Sequence, residues 1–348
     1  ASPPPQPETE RLRIALFQLE VGADKALNVE RARASVRAAA GGGGGGQAGS
    51  GGGGGQGSGG QGGAKLIVLP EMWNCPYSND SFGPYSEPVP PVGTRLQDID
   101  EKASPSVAMM AREAASLGVV LVGGSVPERC CSSSRLGDDG GGKNDGGGGG
   151  GDDASAPPQT NKDRLYNTCC VFERDGTLVA KHRKLHLFDI DIPGKMAFRE
   201  SDTLTAGGGA TLVDLPSLPG VRLGLGICYD IRFPELALLY ARAGATLLVY
   251  PGAFNTVTGP LHWELLARAR AVDAQCFVAV CSPARVEGAS YQAWGRSAVV
   301  GPFAEVLATA EPPGDAPCTV VADLDLGEVA ERRRNLPLWA QRRGDLYE

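Results

Sequence analysis

Glu71, Lys184 and Cys228 are a carboxylate, an amine and a thiol whose types combine into one chemistry. A thiol can attack a carbonyl or nitrile carbon. A carboxylate can take the thiol proton and return it to a leaving nitrogen. An ammonium can stabilise the oxyanion that forms between those steps. Nothing in that scheme requires a histidine, and the chain has 3: His182, His186 and His262. Each residue of the trio also has a plainer reading. Cys228 could be a core cysteine, the usual fate of a free thiol. Glu71 could be a hydrated strand-end carboxylate, and Lys184 one member of a solvated basic cluster with Lys181, His182, Arg183 and His186.

The elements around the trio favour the chemistry. Val221, Leu223, Leu225 and Ile227 form a buried strand with glycines between them, and it ends abruptly at Cys228. Pro234 opens a helix to Ala243, at the first-turn position where a missing N–H costs nothing. Cys228 thus falls on a strand-to-helix turn at the carboxyl edge of a sheet, as in a nucleophile elbow. The nearby helix N-terminus would favour its thiolate. The apolar run Lys65–Leu69 delivers Glu71 to a similar edge, as expected of a strand covered on both faces.

Before these, Arg11–Glu20 reads as a strand, and Asp24 caps a helix from Lys25 to Ala40. Met72–Pro91 reads as a loop over the sheet. Ser104-Pro105 starts a helix to Leu117 that Gly118 closes, and Val119–Ser125 is a third strand. Leu165–Arg174 and Leu178–Lys181 form a hairpin across Asp175-Gly176. Lys184 follows it, and a loop runs through Arg199-Glu200. Further strands are read at Thr211–Leu215, Thr246–Gly252, Cys276–Cys281, Ser297–Val300, Phe303–Ala308 and Thr319–Leu324. A helix from Leu261 to Gln275 is expected to present Trp263, Leu265, Leu266 and Ala269 on one side, and Gly327–Asn335 is a polar helix. The class is α/β with a mixed sheet.

Composition sets outer limits. The chain has 348 residues and a net charge of −7 without a basic stripe, which argues against nucleic acid as a partner. No apolar run reaches the roughly 18 residues that cross a membrane. Residues 1–10 and two glycine-rich blocks, near 41–63 and 132–160, have too few apolar side chains to offset ordering entropy and are expected to be disordered. The 9 cysteines lack paired zinc-type spacing, and a chain of this size needs no disulfide staples, so free thiols in a reducing compartment are expected.

Leu69-Pro70-Glu71, Lys181-His-Arg-Lys184-Leu-His186-Leu and Gly226-Ile-Cys228-Tyr-Asp230-Ile-Arg232-Phe-Pro-Glu235, in that order, resemble the three signatures of the nitrilase superfamily of carbon–nitrogen hydrolases. The resemblance covers residues 11–348 apart from the glycine blocks. Its ω-amidase branch is especially similar at His186–Lys195, Leu248–Asn255 and His262–Leu266. The resemblance implies a four-layer αββα sandwich. It also implies Cys228 as nucleophile, Glu71 as general base, Lys184 as oxyanion stabiliser, and Glu200 as a second glutamate holding Lys184. The backbone N–H of Tyr229 would complete the oxyanion hole. Tyr77, Arg232 and Thr258 match substrate-contacting positions, with Arg232 alternatively a salt-bridge partner of Asp230 or Glu235. No metal or organic cofactor is implied. The expected substrate is a small 2-oxo acid ω-amide, the expected assembly a homodimer, and the expected compartment the cytoplasm, with mitochondrion or plastid as alternatives. Amidase action on deaminated glutathione or an N-carbamoyl amide, and a catalytically silent scaffold or thiol sensor, are the competing readings.

Overall fold

The alternation within the first strand already contains the layering. In β1 (Leu12–Gln18), Leu12, Ile14 and Leu16 pack into one core while Ala15 and Phe17 pack into another. A strand with apolar side chains on both faces must be covered on both faces. The computed structural model describes residues 11–41, 62–130, 163–194, 196–310 and 316–347. The expected disorder of residues 1–10 and of nearly all of both glycine-rich blocks lies outside the described residues.

After β1 come α1 (Lys25–Ala40), β2 (Leu66–Val68), α2 (Asn79–Tyr85), α3 (Pro105–Leu117), β3 (Val120–Val122) and β4 (Val126–Cys130). Then follow β5 (Arg164–Phe172), β6 (Leu178–Arg183), β7 (Asp189–Ile192), β8 (Met196–Arg199), β9 (Thr211–Asp214) and β10 (Arg222–Leu225). The chain continues with α4 (Pro234–Arg242), β11 (Leu247–Pro251), α5 (Gly259–Ala274), β12 (Phe277–Cys281), β13 (Ala298–Val300) and β14 (Val306–Thr309). It closes with β15 (Cys318–Leu324), α6 (Gly327–Asn335) and two single-turn helices, Leu338–Gln341 and Gly344–Tyr347.

Two mixed sheets result. One has the order β15-β1-β2-β3-β5-β4, with β6 also paired to β5; the other runs β14-β13-β12-β11-β10-β9. Apolar side chains define the interface between them: Ile14, Leu66, Val68, Val120 and Val171 of the first sheet share one core with Leu223, Leu225, Val249 and Val280 of the second. On the outer face of the first sheet, Phe17, Ile67 and Leu121 meet Val29, Ala32 and Val36 of α1 and Met110, Ala111 and Ala114 of α3. The outer face of the second sheet is covered by α4 and α5 through Ala237, Tyr240, Trp263, Ala267 and Ala271. The order is helices, sheet, sheet, helices, the αββα sandwich that the resemblance implied.

Local signals explain the element ends. The Asp24 carboxylate accepts from Leu27 N–H at 3.0 Å and starts α1. Pro105 occupies the first turn of α3, and Gly118 closes it in the left-handed region. The flanks of both glycine blocks meet. Ala64 N–H donates to Ala39 C=O at 3.1 Å across the first, and Cys130 pairs with Arg164 across the second.

Three expectations are corrected. The Met72–Pro91 loop contains α2, a seven-residue helix around buried Phe82, too short to display a period. The stretch before Glu200 is a separate hairpin, β7–β8, turning at Pro193-Gly194. The inward face of α5 is Trp263, Ala267, Arg270, Ala271 and Ala274, whereas Leu265 is 62% exposed. Small alanines let that helix lie close to β12, so the large aliphatic residues do not mark its buried side.

Gly226 sits where the sheet has no room. A Cβ there would lie 2.5 Å from the Tyr250 ring. Gly226→Ala should therefore destabilise the protein by about 1–3 kcal/mol in urea unfolding. Gly209→Ala, where nothing lies within 4 Å, should stay within about 0.5 kcal/mol. Equal stability of the two variants would contradict the packing described.

Candidate active site

The carboxyl ends of β2 and β10 and the end of β6 converge. Glu71 stands just beyond β2, Lys184 directly follows β6, Glu200 directly follows β8, and Cys228 opens a five-residue 3-10 turn, Cys228–Arg232, after β10. All four are buried, with Cys228 at 4% exposure. Cys228 has φ 48°, in the left-handed region that non-glycine residues seldom adopt. Such strain persists only where surroundings fix it. The close approach of Gly252 helps here, since a Cβ on it would reach 3.1 Å from the Cys228 Cα.

Lys184 is the centre of the cluster. Its Nζ donates to Glu71 Oε1 at 3.1 Å and to Glu200 Oε1 at 2.9 Å. Burial would lower its pKa, but the charges of Glu200 and Glu71 outweigh burial and hold it well above the ordinary lysine value. Both carboxylates are anchored by further donors. Glu71 Oε1 accepts from Asn167 Nδ2 at 2.8 Å, and its Oε2 accepts from Ala253 N–H at 2.8 Å. Glu200 accepts from the Tyr77 hydroxyl at 2.6 Å and from Phe188 N–H at 2.7 Å.

Cys228 is buried beside Glu71, Glu200 and Lys184 and feels the charge of all three. Burial, then the negative charges of Glu71 and Glu200, pushes its thiol well above the ordinary value, against the opposing pull of Lys184 and Ala253 N–H. The resting group is therefore a thiol. The thiolate expected from the helix N-terminus is not met, because the 3-10 turn separates Cys228 from α4 and the nearest formal charges include two carboxylates. Burial and the Glu200 charge also raise the pKa of Glu71, with Lys184 opposing. The arrangement suits proton transfer from sulfur to carboxylate as the sulfur forms a bond.

The remaining sequence candidates divide. Tyr77 joins the cluster through Glu200 and stacks on Tyr291, centroids 4.5 Å apart. The Tyr229 ring lies between Phe188 and Phe233, and its N–H is in the first turn of the 3-10 segment, where N–H groups have no acceptor within the turn. Arg232 pairs with neither Asp230 nor Glu235. Its guanidinium lies over the Phe254 ring at 4.6 Å, and Nη1 is 3.2 Å from His262 Nδ1. The Thr258 hydroxyl donates to Asn255 Oδ1 at 3.1 Å, in a turn that starts α5, and does not touch the four-residue cluster. Glu71, Met72, Tyr77, Ala253, Ser290 and Tyr291 line a cleft that reaches the cluster. Among the described residues, no group of three His, Cys, Asp or Glu side chains is placed to hold a metal ion.

Sequence reading missed Asn167, the Ala253 N–H, Tyr291 and Asp230. Asn167 carried one signal, a polar side chain in the middle of β5 just before its apolar end Cys169–Phe172. Asp230, fully buried, ties the Cys228 turn to the Lys184 segment: it accepts from Ile227 N–H at 2.8 Å, His186 N–H at 2.9 Å and His186 Nδ1 at 2.7 Å. Burial opposes its ionisation, but hydrogen bonds from His182 and His186 hold its carboxyl well below the usual range. A depressed folded pKa contributes stability that is fully present above the unfolded value of about 3.9 and is lost on acidification below it. At neutral pH, Asp230→Ala leaves several buried donors unpaired and should reduce urea stability by about 2–4 kcal/mol. A loss below about 1 kcal/mol would mean that the network carries little stability.

Comparison with known proteins agrees with this geometry. The pattern described as Carbon-nitrogen hydrolase matches residues 13–334. The chain is 47% identical to "Omega-amidase, chloroplastic" of Arabidopsis thaliana over 348 residues, 100% of this chain and 77% of that protein. It is 44% identical to "Omega-amidase NIT2" of Bos taurus over 336 residues, 97% of this chain and 96% of that protein. Among solved structures, Saccharomyces cerevisiae Nit3, a member of branch 10 of the nitrilase superfamily, superposes with a TM-score of 0.70 at 37% identity, covering 96% of this chain and 97% of that one. With a buried Glu–Lys–Cys cluster at the sheet edges of an αββα sandwich, and a family match over most of its length, this chain belongs to the carbon–nitrogen hydrolases of the nitrilase superfamily.

Proposed function

We propose that the protein is an ω-amidase, hydrolysing the terminal amide of α-ketoglutaramate or α-ketosuccinamate to the 2-oxo dicarboxylate and ammonia. The observation that carries the reaction type is the burial of the Cys228 thiol beside Glu71 and an ammonium that donates to two buried carboxylates. The relatives named as ω-amidases support the substrate class.

In the first half-reaction, Cys228 Sγ attacks the amide carbon while its proton passes to Glu71. The carbonyl oxygen becomes an oxyanion, stabilised by Lys184 Nζ and Tyr229 N–H. Glu71 delivers the proton to the nitrogen, the C–N bond breaks, ammonia leaves, and a thioester remains on Cys228. In the second half-reaction, Glu71 takes a proton from water as the water oxygen attacks the thioester. The C–S bond breaks and the sulfur regains its proton. Glu200 holds Lys184 in place throughout. Arg232, with no carboxylate partner among the described residues, meets the carboxylate end of the substrate. Tyr77 shapes the cleft, and Thr258 acts by fixing the start of α5.

The same reading takes residues 11–348 as one hydrolase domain with two glycine-rich insertions. It makes the protein a homodimer, for which the exposed Leu239, Leu261 and Leu265 on α4 and α5 provide an apolar face. It assigns a reducing compartment, the cytoplasm with mitochondrion or plastid as alternatives; the free thiols of the 8 described cysteines support the reducing character alone. Among the described residues no helix is long and apolar enough to cross a membrane.

Ammonia release from α-ketoglutaramate should be measurable with the wild type and lost by at least about a thousandfold in Cys228→Ala, with circular dichroism unchanged. Turnover of other amides but not of this one would overturn the substrate assignment, and undiminished turnover by Cys228→Ala would overturn the nucleophile. The pH profile provides a second check. Glu71 must be unprotonated to act, so kcat/KM should fall as pH drops. Because burial raises the Glu71 pKa, the midpoint should lie above the ordinary glutamate value of about 4.3. A midpoint at or below that value would contradict the role.

A further inference from the structure

Arg232 is an unusual cation in its surroundings. It is partly buried, and its guanidinium carbon stands 4.6 Å from the Phe254 ring centroid and 5.5 Å from that of Tyr229. The only hydrogen bond of its guanidinium among the described residues runs to His262 Nδ1, at 3.2 Å. Two aromatic faces and an imidazole therefore surround a positive charge that no described carboxylate balances. A cation removed from water in this way needs an anion from outside the chain. Burial accordingly depresses the arginine's pKa, in the direction that an unbalanced cation requires.

The contact with His262 fixes more than distance. A guanidinium carries only donors, so the imidazole nitrogen facing it must offer a lone pair. In this contact Arg232 Nη1–H donates and His262 Nδ1 accepts. The ring's own placement is set by the first turn of α5. Asn255 Oδ1 accepts from Val257 N–H at 3.0 Å and Thr258 N–H at 2.8 Å, and Thr258 C=O accepts from His262 N–H at 2.9 Å. The chain from Asn255 to His262 is thus held at its start, and its far end presents Nδ1 to Arg232.

We infer that His262 is a specificity-determining positioning residue, whose Nδ1 holds the Arg232 guanidinium in the orientation that meets the carboxylate of an anionic amide. The inference rests on the ω-amidase reading, because it presumes an anionic substrate at Arg232. It also gives Thr258 a defined part, since the Asn255–Thr258 turn aims His262 and leaves direct substrate contact to Arg232. His262 does not touch the reacting atoms, so it acts on binding of the anionic end and leaves the chemical step unchanged.

Two substitutions separate the acceptor from the bulk of the ring. His262→Phe keeps a planar ring and removes the acceptor. His262→Asn restores an acceptor near the position of Nδ1. The measurements are kcat and KM for α-ketoglutaramate, and competitive inhibition by glutarate, a dianion of similar length. His262→Phe should raise KM and the glutarate inhibition constant about tenfold each, the size expected for one hydrogen bond to a charged group, with kcat within about twofold. His262→Asn should recover both to within about threefold of wild type. Unchanged KM and inhibition constant in His262→Phe, an equal fall in kcat, or no recovery in His262→Asn would overturn the inference. A wild type that hydrolyses uncharged pentanamide, ignores α-ketoglutaramate and is not inhibited by glutarate would instead overturn the ω-amidase reading on which it rests.

Discussion

The Lys184 ammonium is a charge taken out of solvent. It is fully buried, and it is balanced by two carboxylates that are themselves buried. Removing an ion from water carries a penalty of several kcal/mol that only close, well-bonded partners offset. The two partners are held from different directions. Asn167 on β5, in the first sheet, and Ala253 N–H just past β11, in the second, clamp Glu71. Tyr77 and the Phe188 backbone clamp Glu200. The ion cluster therefore exists only when the two sheets stack in register, and the shared apolar core between them enforces that register. The paired carboxylates make a buried ammonium tolerable, the apolar core holds the sheets that carry them, and the ammonium is what makes an oxyanion welcome.

The same constraint accounts for the state of the sulfur. A thiol beside one ammonium and two carboxylates gains little from ionising in the resting site. The Glu71 carboxylate nearby has its own pKa raised by burial. The carboxylate is thus a stronger base than it is in water, and the proton can move to it as bond formation to carbon lowers the charge on sulfur. The Asp230 network contributes geometry. By accepting from Ile227 and His186 it joins the turn that carries Cys228 to the chain that follows Lys184, so nucleophile and ammonium move as a unit.

Much of this was legible in the sequence because it is written locally. The apolar alternation of Val221–Ile227 followed by Pro234 places a strand, a turn and a helix around Cys228, and that is the observed order. Asp24, Pro105 and Gly118 mark helix ends by chemistry that acts over a few residues. What was not legible depends on neighbours far along the chain. The thiol's pKa is raised first by burial between the sheets and then by the charges of Glu71, which follows a strand of the other sheet, and of Glu200. Asn167 and the Ala253 N–H acquire their roles only where strands of two sheets end together. The orientation of α5 was misread for a related reason. Its buried face is made of alanines, one tryptophan and an arginine, while Leu261 and Leu265 face outward, so residue hydrophobicity does not reveal which side another layer covers.

The account stands on a covalent bond to one sulfur. The most direct test is intact and peptide mass spectrometry of the enzyme, acid-quenched within a single turnover of α-ketoglutaramate. The account predicts an adduct with the mass of the substrate less ammonia, confined to the peptide that carries Cys228 and absent in Cys228→Ala. Full turnover with no adduct at any quench time, or an adduct on another of the cysteines, would contradict it.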